Sequence, residues 1–359
     1  MKKIIIPAVL LAAIAGAAAL FFLLDSHVEI SDGIKRNEQF INQWGLYNNG
    51  QEIDGTKGTK NIDINILKAW EITKGSGDVI VGVLDSGLDR SCAEIQGSIY
   101  TNKNEIPGNN IDDDQNGFVD DINGWNFFHN NNELYNDYLH DNHGTYISSI
   151  IAASHSSGAM CGVAPQVKIL PLKFLHGTNG QTADAVRAIE YAHSMGASII
   201  NCSWDSTAYD QELFDAMKKY SDILFVCSAG KQGADLDEVP VYPACYDLPN
   251  VLSVAAVDNK GALYEFSGYG QKAHIGAPGV NILSALPEGD YSYSDGTSSA
   301  AAFVTGAAAL VKSYRSDLTA AEIADIIKHS SKRVRSLKGK IQCGGIVDAY
   351  KCLQNAEKY

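Results

Sequence analysis

Five short apolar runs from position 79 onward constrain the fold of this chain more than any other feature. VIVGVL (79–84), VKILPL (167–172), SIINCSW (198–204), ILFVCSAG (223–230) and VLSVAAV (251–257) show little alternation of apolar and polar residues. A strand with one wet face alternates, whereas a strand covered on both faces reads as a continuous apolar run, as in a parallel sheet between layers of helices. Helical spacing fills 182–195 and 210–220 between those runs. Positions 299–315 form an alanine-rich helix, and Thr319 with Glu322 makes a capping box for a helix running to His329. The expected fold is α/β, a three-layer sandwich with a mostly parallel central sheet.

The 359 residues, 45% of them hydrophobic, suffice for a large core. A net charge of -14 argues against nucleic acid or an anionic membrane surface as a partner, because both would repel it. At the start, Lys2 and Lys3 precede an uncharged run over 4–24. That polarity predicts an export signal or uncleaved membrane anchor over 1–24, with the rest of the chain outside the cytoplasm or secreted. A short linker is expected over 25–42, followed by one domain over 43–359, acting as a monomer. The odd number of cysteines, seven, leaves at least one free thiol; Cys343 and Cys352 flank the last segment and are close enough in sequence to bridge.

Three segments carry chemistry, in the order acid, base, hydroxyl. VIVGVLDSGLD places Asp85 at the carboxyl end of a buried strand, where open α/β sheets keep their functional groups. DNHGTYISSIIAA carries His143, and DGTSSAAAFVTGAAAL carries Ser298 at the start of an apolar helix. A buried carboxylate holds one imidazole tautomer, the imidazole takes the hydroxyl proton, and the helix amide with its dipole faces a developing oxyanion. Each motif alone is more often structural than catalytic. Three of them in one order, each in its own context, are not.

With these residues the chain resembles the subtilisin-like serine protease family, from about Gln43 (QWGLYNNGQ) to Lys351. The resemblance implies an endopeptidase working on peptide or protein substrates through an acyl-enzyme, with Asp85 as orienting acid, His143 as general base and Ser298 as nucleophile. It places Ser203 and Trp204, in NCSW, on the substrate-lining strand, and GVAP (162–165) with HIGAPG (274–279) at further landmarks.

Departures from the family pattern set further expectations. Where the family's AAGN gives the oxyanion hole an asparagine amide, this chain has SAGK, hence Lys231. Losing that amide costs about 10²–10³ in turnover in a member of the same family. An ammonium either replaces it as a point charge or points to solvent, leaving the Ser298 amide to act alone. A peptide-binding pseudoprotease is therefore one alternative. Ala302, in place of a usual proline four residues past the nucleophile, raises a transpeptidase or cyclase as another. Asp205 replaces a glycine beside the cleft and would favour a basic substrate side chain. Val241, near the floor of the primary specificity pocket, would favour a small or medium P1 residue. Tyr146 and Ser149 take positions where histidine and glycine are usual.

A calcium site is expected in IDDDQNGFVDDINGW. Asp112, Asp114, Asn116 and Gly117 follow the D-x-D-x-N-G spacing that turns several oxygens onto one hard cation, with the Phe118 carbonyl and Asp120 or Asp121 completing the set. The resemblance supports calcium as a structural cofactor. It also points to Glu94 as a ligand of a second site, although Ser156 replaces the partner asparagine. About twenty residues between the anchor and QWGL are too few for the intramolecular chaperone many relatives carry. His140, His155, His176, His193, His274 and His329 show no metal-ligand spacing and read as structural or surface residues.

Overall fold

The computed structural model describes residues 40–156 and 159–359. The expected anchor over 1–24 and nearly all of the linker lie outside the described residues. Nine strands make the main sheet: β1 (Ile80–Asp85), β2 (Trp125–Asn126), β3 (Lys168–Lys173), β4 (Ala197–Cys202), β5 (Leu224–Ser228), β6 (Val251–Val257), β7 (Ile275–Pro278), β8 (Lys332–Arg333) and β9 (Gly345–Ile346). They lie side by side in the order β8-β9-β7-β6-β5-β4-β1-β3-β2. All neighbours are parallel except β8 against β9.

The flanking helices are α1 (Ile66–Trp70), α2 (Tyr138–Ala152), α3 (Thr182–Ser194), α4 (Gln211–Lys219), α5 (Thr297–Tyr314), α6 (Ala320–His329) and α7 (Ala349–Ala356). All seven residues of β6 are buried, the signature of a strand covered on both faces. The five apolar runs become β1, β3, β4, β5 and β6, each within a residue or two of its expected start. SIINCSW stops being a strand at Cys202 and ILFVCSAG at Ser228, so Ser203, Trp204, Ala229 and Gly230 leave the sheet at its carboxyl edge. Thr319 and Glu322 close the capping box in both directions. Among the described residues no helix is long and apolar enough to cross a membrane.

Two features of this layout create the site. β1 pairs with β3 on one side and β4 on the other, so the chain direction across the sheet reverses at β1. Side chains at the carboxyl end of such a strand face a crevice rather than a covering loop. The long helix α5 packs on β4 to β7 and against α2. Its six alanines at 300–302 and 307–309 are all fully buried, allowing a close approach that larger side chains would forbid.

All seven cysteines are free thiols, including Cys343 and Cys352, which do not bridge. Cys202 and Cys227 are buried opposite one another on β4 and β5. Both serve as small apolar fillers there.

Candidate active site

Asp85 is the last residue of β1 and is 1% exposed. Its two carboxylate oxygens lie 2.8 and 2.9 Å from His143 Nδ1, and the Ser86 amide donates to Oδ1 at 2.7 Å. His143 sits on the second turn of α2. That helix docks so tightly on the loop after β1 that a Cβ at Gly144 would stand 2.0 Å from the Gly87 carbonyl oxygen. This explains the glycine after the histidine. The His143 side chain is 37% exposed. With Nδ1 committed to Asp85, Nε2 is the other ring nitrogen. Burial disfavours the imidazolium, but the Asp85 charge and hydrogen bond outweigh it, so the pKa is raised above its ordinary value; Lys231 pulls it back.

Ser298 is the second residue of α5, which begins after Gly296 at φ 147°, a region that side chains with a Cβ rarely adopt. Ser298 Oγ donates to the Ser203 carbonyl at 3.1 Å, and Ser203 Oγ donates to the Ser298 carbonyl at 3.1 Å. A buried chain stands behind this reciprocal pair. Thr305 Oγ1 donates to Asn201 Oδ1 at 2.9 Å, and Asn201 Nδ2 donates to Ser203 Oγ at 2.8 Å. Thr297 Oγ1 fixes the Gly230 carbonyl at 3.0 Å. Sequence reading missed Asn201, Thr297 and Thr305. The only signal for them was a polar residue inside an apolar strand or helix, which periodicity alone treats as noise.

Lys231 follows Gly230 and is exposed. Its charge acts on both His143 and Asp205, lowering the pKa of each. Asp205 is half-buried, and desolvation raises its carboxyl pKa while Lys231 opposes the rise. Val241 is buried with its methyl groups toward Gly230, where an added Cβ would meet Cγ2 at 3.2 Å. Trp204 is half-buried, its ring 4.9 Å from that of Phe174.

The unusual residues after His143 are accommodated by packing. Tyr146 is buried, its hydroxyl contacts Ser299 Oγ, and its ring centroid is 5.5 Å from that of His143. Burial pushes its phenol pKa up, which keeps the proton on. Ser149 Oγ donates to the Tyr146 carbonyl at 2.8 Å and accepts from the Ala285 amide at 3.1 Å.

The acidic loop folds differently from a single shell of the five expected residues. Asp114 and Asp121 converge with Glu105, offering carboxylate oxygens within 4.8 Å of one another. Asp121 is fully buried and accepts from Asn102 Nδ2 at 2.8 Å and Asn116 Nδ2 at 3.0 Å. Asp112 instead caps the amides of Asn116 and Gly117, at 3.0 and 2.8 Å. The Asp120 carboxylate accepts from the amides of Gly108, Asn109 and Asn110. Asn116 Oδ1 is used by the Phe118 amide at 2.8 Å. Glu105 was not anticipated, since it lies outside the D-x-D-x-N-G spacing. Glu94 is buried and accepts a hydrogen bond from the Tyr291 hydroxyl.

A profile of the subtilase family, Peptidase_S8, matches residues 76–345. The chain is 33% identical over 299 residues to "Subtilisin-like protease 1" of Plasmodium berghei, covering 76% of this chain and 49% of that protein. It is 35% identical over 264 residues to the "Major intracellular serine protease" of Bacillus subtilis, covering 71% of this chain and 75% of that one. It thus spans about half the length of the first relative and three quarters of the second. The solved structure of the prenylagaramide maturation protease PagA superposes with a TM-score of 0.62 at 27% identity, covering 81% of this chain and 98% of that one. The parallel sheet, the Asp85–His143 contact at its switch point and these likenesses agree: the chain belongs to the subtilase family, the subtilisin-like serine proteases.

Proposed function

We propose that this protein is an endopeptidase that cleaves peptide or protein substrates through an acyl-enzyme on Ser298. The observation that carries the reading is the pair of contacts from Asp85 to His143 Nδ1; the position of Ser298 near the start of a buried helix supports it. In the first step Ser298 Oγ attacks the scissile carbonyl carbon and its proton passes to His143 Nε2. That proton then goes to the leaving amine as the C–N bond breaks. Water, activated by the same imidazole, hydrolyses the ester and restores Ser298. Before substrate binds, the hydroxyl rests on the Ser203 carbonyl; catalytic hydrogen bonds commonly tighten only in the Michaelis complex.

The oxyanion would be held by the Ser298 amide at the α5 N-terminus and by the Lys231 ammonium. Replacing Lys231 by methionine is expected to lower kcat by about 10² with little change in KM. An unchanged kcat on a peptide nitroanilide would assign Lys231 to solvent. The Lys231 charge acts on Asp205 and opposes the rise in its pKa, which weakens the case for a strong preference for basic substrates. Val241, packed on Gly230, supports a shortened pocket and a small or medium P1 residue.

Glu105, Asp114 and Asp121 fit calcium, a hard cation that takes several carboxylate oxygens. Calcium would supply structural charge neutralisation there and no step of the reaction. At a hundredfold excess over Kd it is expected to stabilise the fold by about 2.7 kcal/mol. Thermal melts with calcium and with chelator should differ accordingly, and Glu105→Gln should abolish the difference.

The likeness to a maturation protease supports a role in trimming a peptide precursor. The basic start and the uncharged run over 4–24 support export, with the catalytic domain outside the cytoplasm. The test of the activity is intact mass after a serine-directed fluorophosphonate, with and without calcium. One adduct on the parent and none on Ser298→Ala is expected. No adduct on a folded, calcium-loaded parent would leave the peptide-binding alternative in front.

A further inference from the structure

Two histidines that show no ligand spacing in the sequence come together beside the base helix. Asp137 is the N-cap of α2 and His140 stands one turn before His143. His176 ends a short strand (Leu175–His176) that pairs with Asn179–Gly180 just after β3. The His140 and His176 rings are stacked with centroids 4.3 Å apart. With Asp137 they offer three ligand atoms within 4.8 Å of one another. The side chains are 44%, 47% and 28% exposed for Asp137, His140 and His176, so a cation has access and the groups have room to adjust.

We infer that Asp137, His140 and His176 form a binding site for a divalent transition-metal ion, zinc above all. The donor set decides the class of ion: two imidazoles with one carboxylate suit zinc and its neighbours rather than calcium or magnesium. The free valences are in the right places. Asp137 Oδ1 accepts from the amides of Leu139 and His140, and His140 Nδ1 lies 2.9 and 3.0 Å from Oδ1 and Oδ2, so Oδ2 has only the imidazole to exchange for a cation. His176 Nδ1 faces Oδ1 of the buried Asp141 at 3.6 Å. That distance is beyond a hydrogen bond, so His176 Nδ1 has no hydrogen-bond partner and the ring is not tied to one tautomer. His176 brings one ring nitrogen to the cluster.

Binding displaces the proton between His140 Nδ1 and Asp137 Oδ2 into solvent, and water takes the fourth position. Tetrahedral coordination with bonds near 2.0–2.1 Å puts ligand atoms about 3.4 Å apart, so the His140–Asp137 pair, at 3.0 Å, opens slightly and His176 adjusts from within 4.8 Å. The occupied site would tie the first turn of the helix that carries His143 to the hairpin that follows β3. The geometry that links them is tertiary, since Asp137 and His140 share one helix turn and His176 comes from another element.

The test uses the full chain carrying Ser298→Ala, to prevent autolysis, in saturating calcium, titrated with cobalt(II) and then zinc. The expected result is one equivalent of cobalt with a tetrahedral visible spectrum, bleached by zinc. His176→Gln and His140→Ala, folded by circular dichroism, should each weaken binding at least tenfold. Binding unchanged in both variants, or no stoichiometric binding in the parent, would overturn the site. Binding lost in His143→Ala and kept in His176→Gln would place the metal on the triad and overturn it equally.

Discussion

Asp85→Asn is expected to lower kcat by about 10⁴ while KM stays near that of the parent, and to move the acidic limb of the pH profile downward. Both effects follow from one contact. The parent carboxylate, 1% exposed, holds Nδ1 with both oxygens, so Nδ1 carries the proton and Nε2 is the nitrogen left for the proposed role of base. An asparagine amide can donate to Nδ1, which stabilises the wrong tautomer and leaves Nε2 protonated and useless as a base. In the pH profile, Asp85 is what raises the His143 pKa against burial. With it present, the neutral base is reached only above the ordinary value of 6.5. Without it, burial and Lys231 both favour the neutral ring, and the limb falls below that value. Lys231→Met should move the limb the other way, because the charge removed is one that lowers the pKa. Opposite displacements in kcat/KM profiles would be difficult to obtain from general damage to the fold. Limbs that stay fixed in both variants would remove His143 from the role of base.

The parts of this protein legible in the sequence are those set by burial along the chain. Strands covered on both faces must be apolar throughout, so β1, β3, β4, β5 and β6 announce themselves, and Asp85 stands out as a charge ending such a strand. The capping box at Thr319 is legible because both its hydrogen bonds are local. What the sequence concealed is set by distance in space. Glu105 joins Asp114 and Asp121 only because Asn102 and the turn amides fold the loop back on itself. The D-x-D-x-N-G spacing described the turn correctly, but its first aspartate is spent on holding that turn. His140 and His176 belong to different elements, and no periodicity relates them. Asn201 reads as a blemish in an apolar strand until Thr305 and Ser203 are seen on either side of its amide.

Lys173 and Asp141 show the same limit with a larger energetic consequence. Both are completely buried, and their side chains form an ion pair. Lys173 ends β3 in register with Asp85, and Asp141 precedes His143 by two residues on α2, so the pair joins the strand beside Asp85 to the helix of His143. Asp141 Oδ2 also accepts from the amides of Asn136 and Asp137, at 2.7 and 3.3 Å. Breaking a buried pair by removing one partner strands the other charge, at a cost of about 3–5 kcal/mol. Asp141→Asn should therefore melt roughly 6–10 °C below the parent. The double variant with Lys173→Met removes the stranded ammonium and should regain most of that loss. The pH dependence gives an independent check. Burial already holds the Lys173 pKa below its ordinary 10.5, and Asp141 is the principal influence opposing that depression. In Asp141→Asn the folded pKa falls further, so between that pKa and 10.5 the unfolded chain binds more protons than the folded one, and stability rises with pH. Melting curves for Asp141→Asn that are flat over this range, or a double variant no more stable than the single, would mean that the pair is not held as an ion pair in solution.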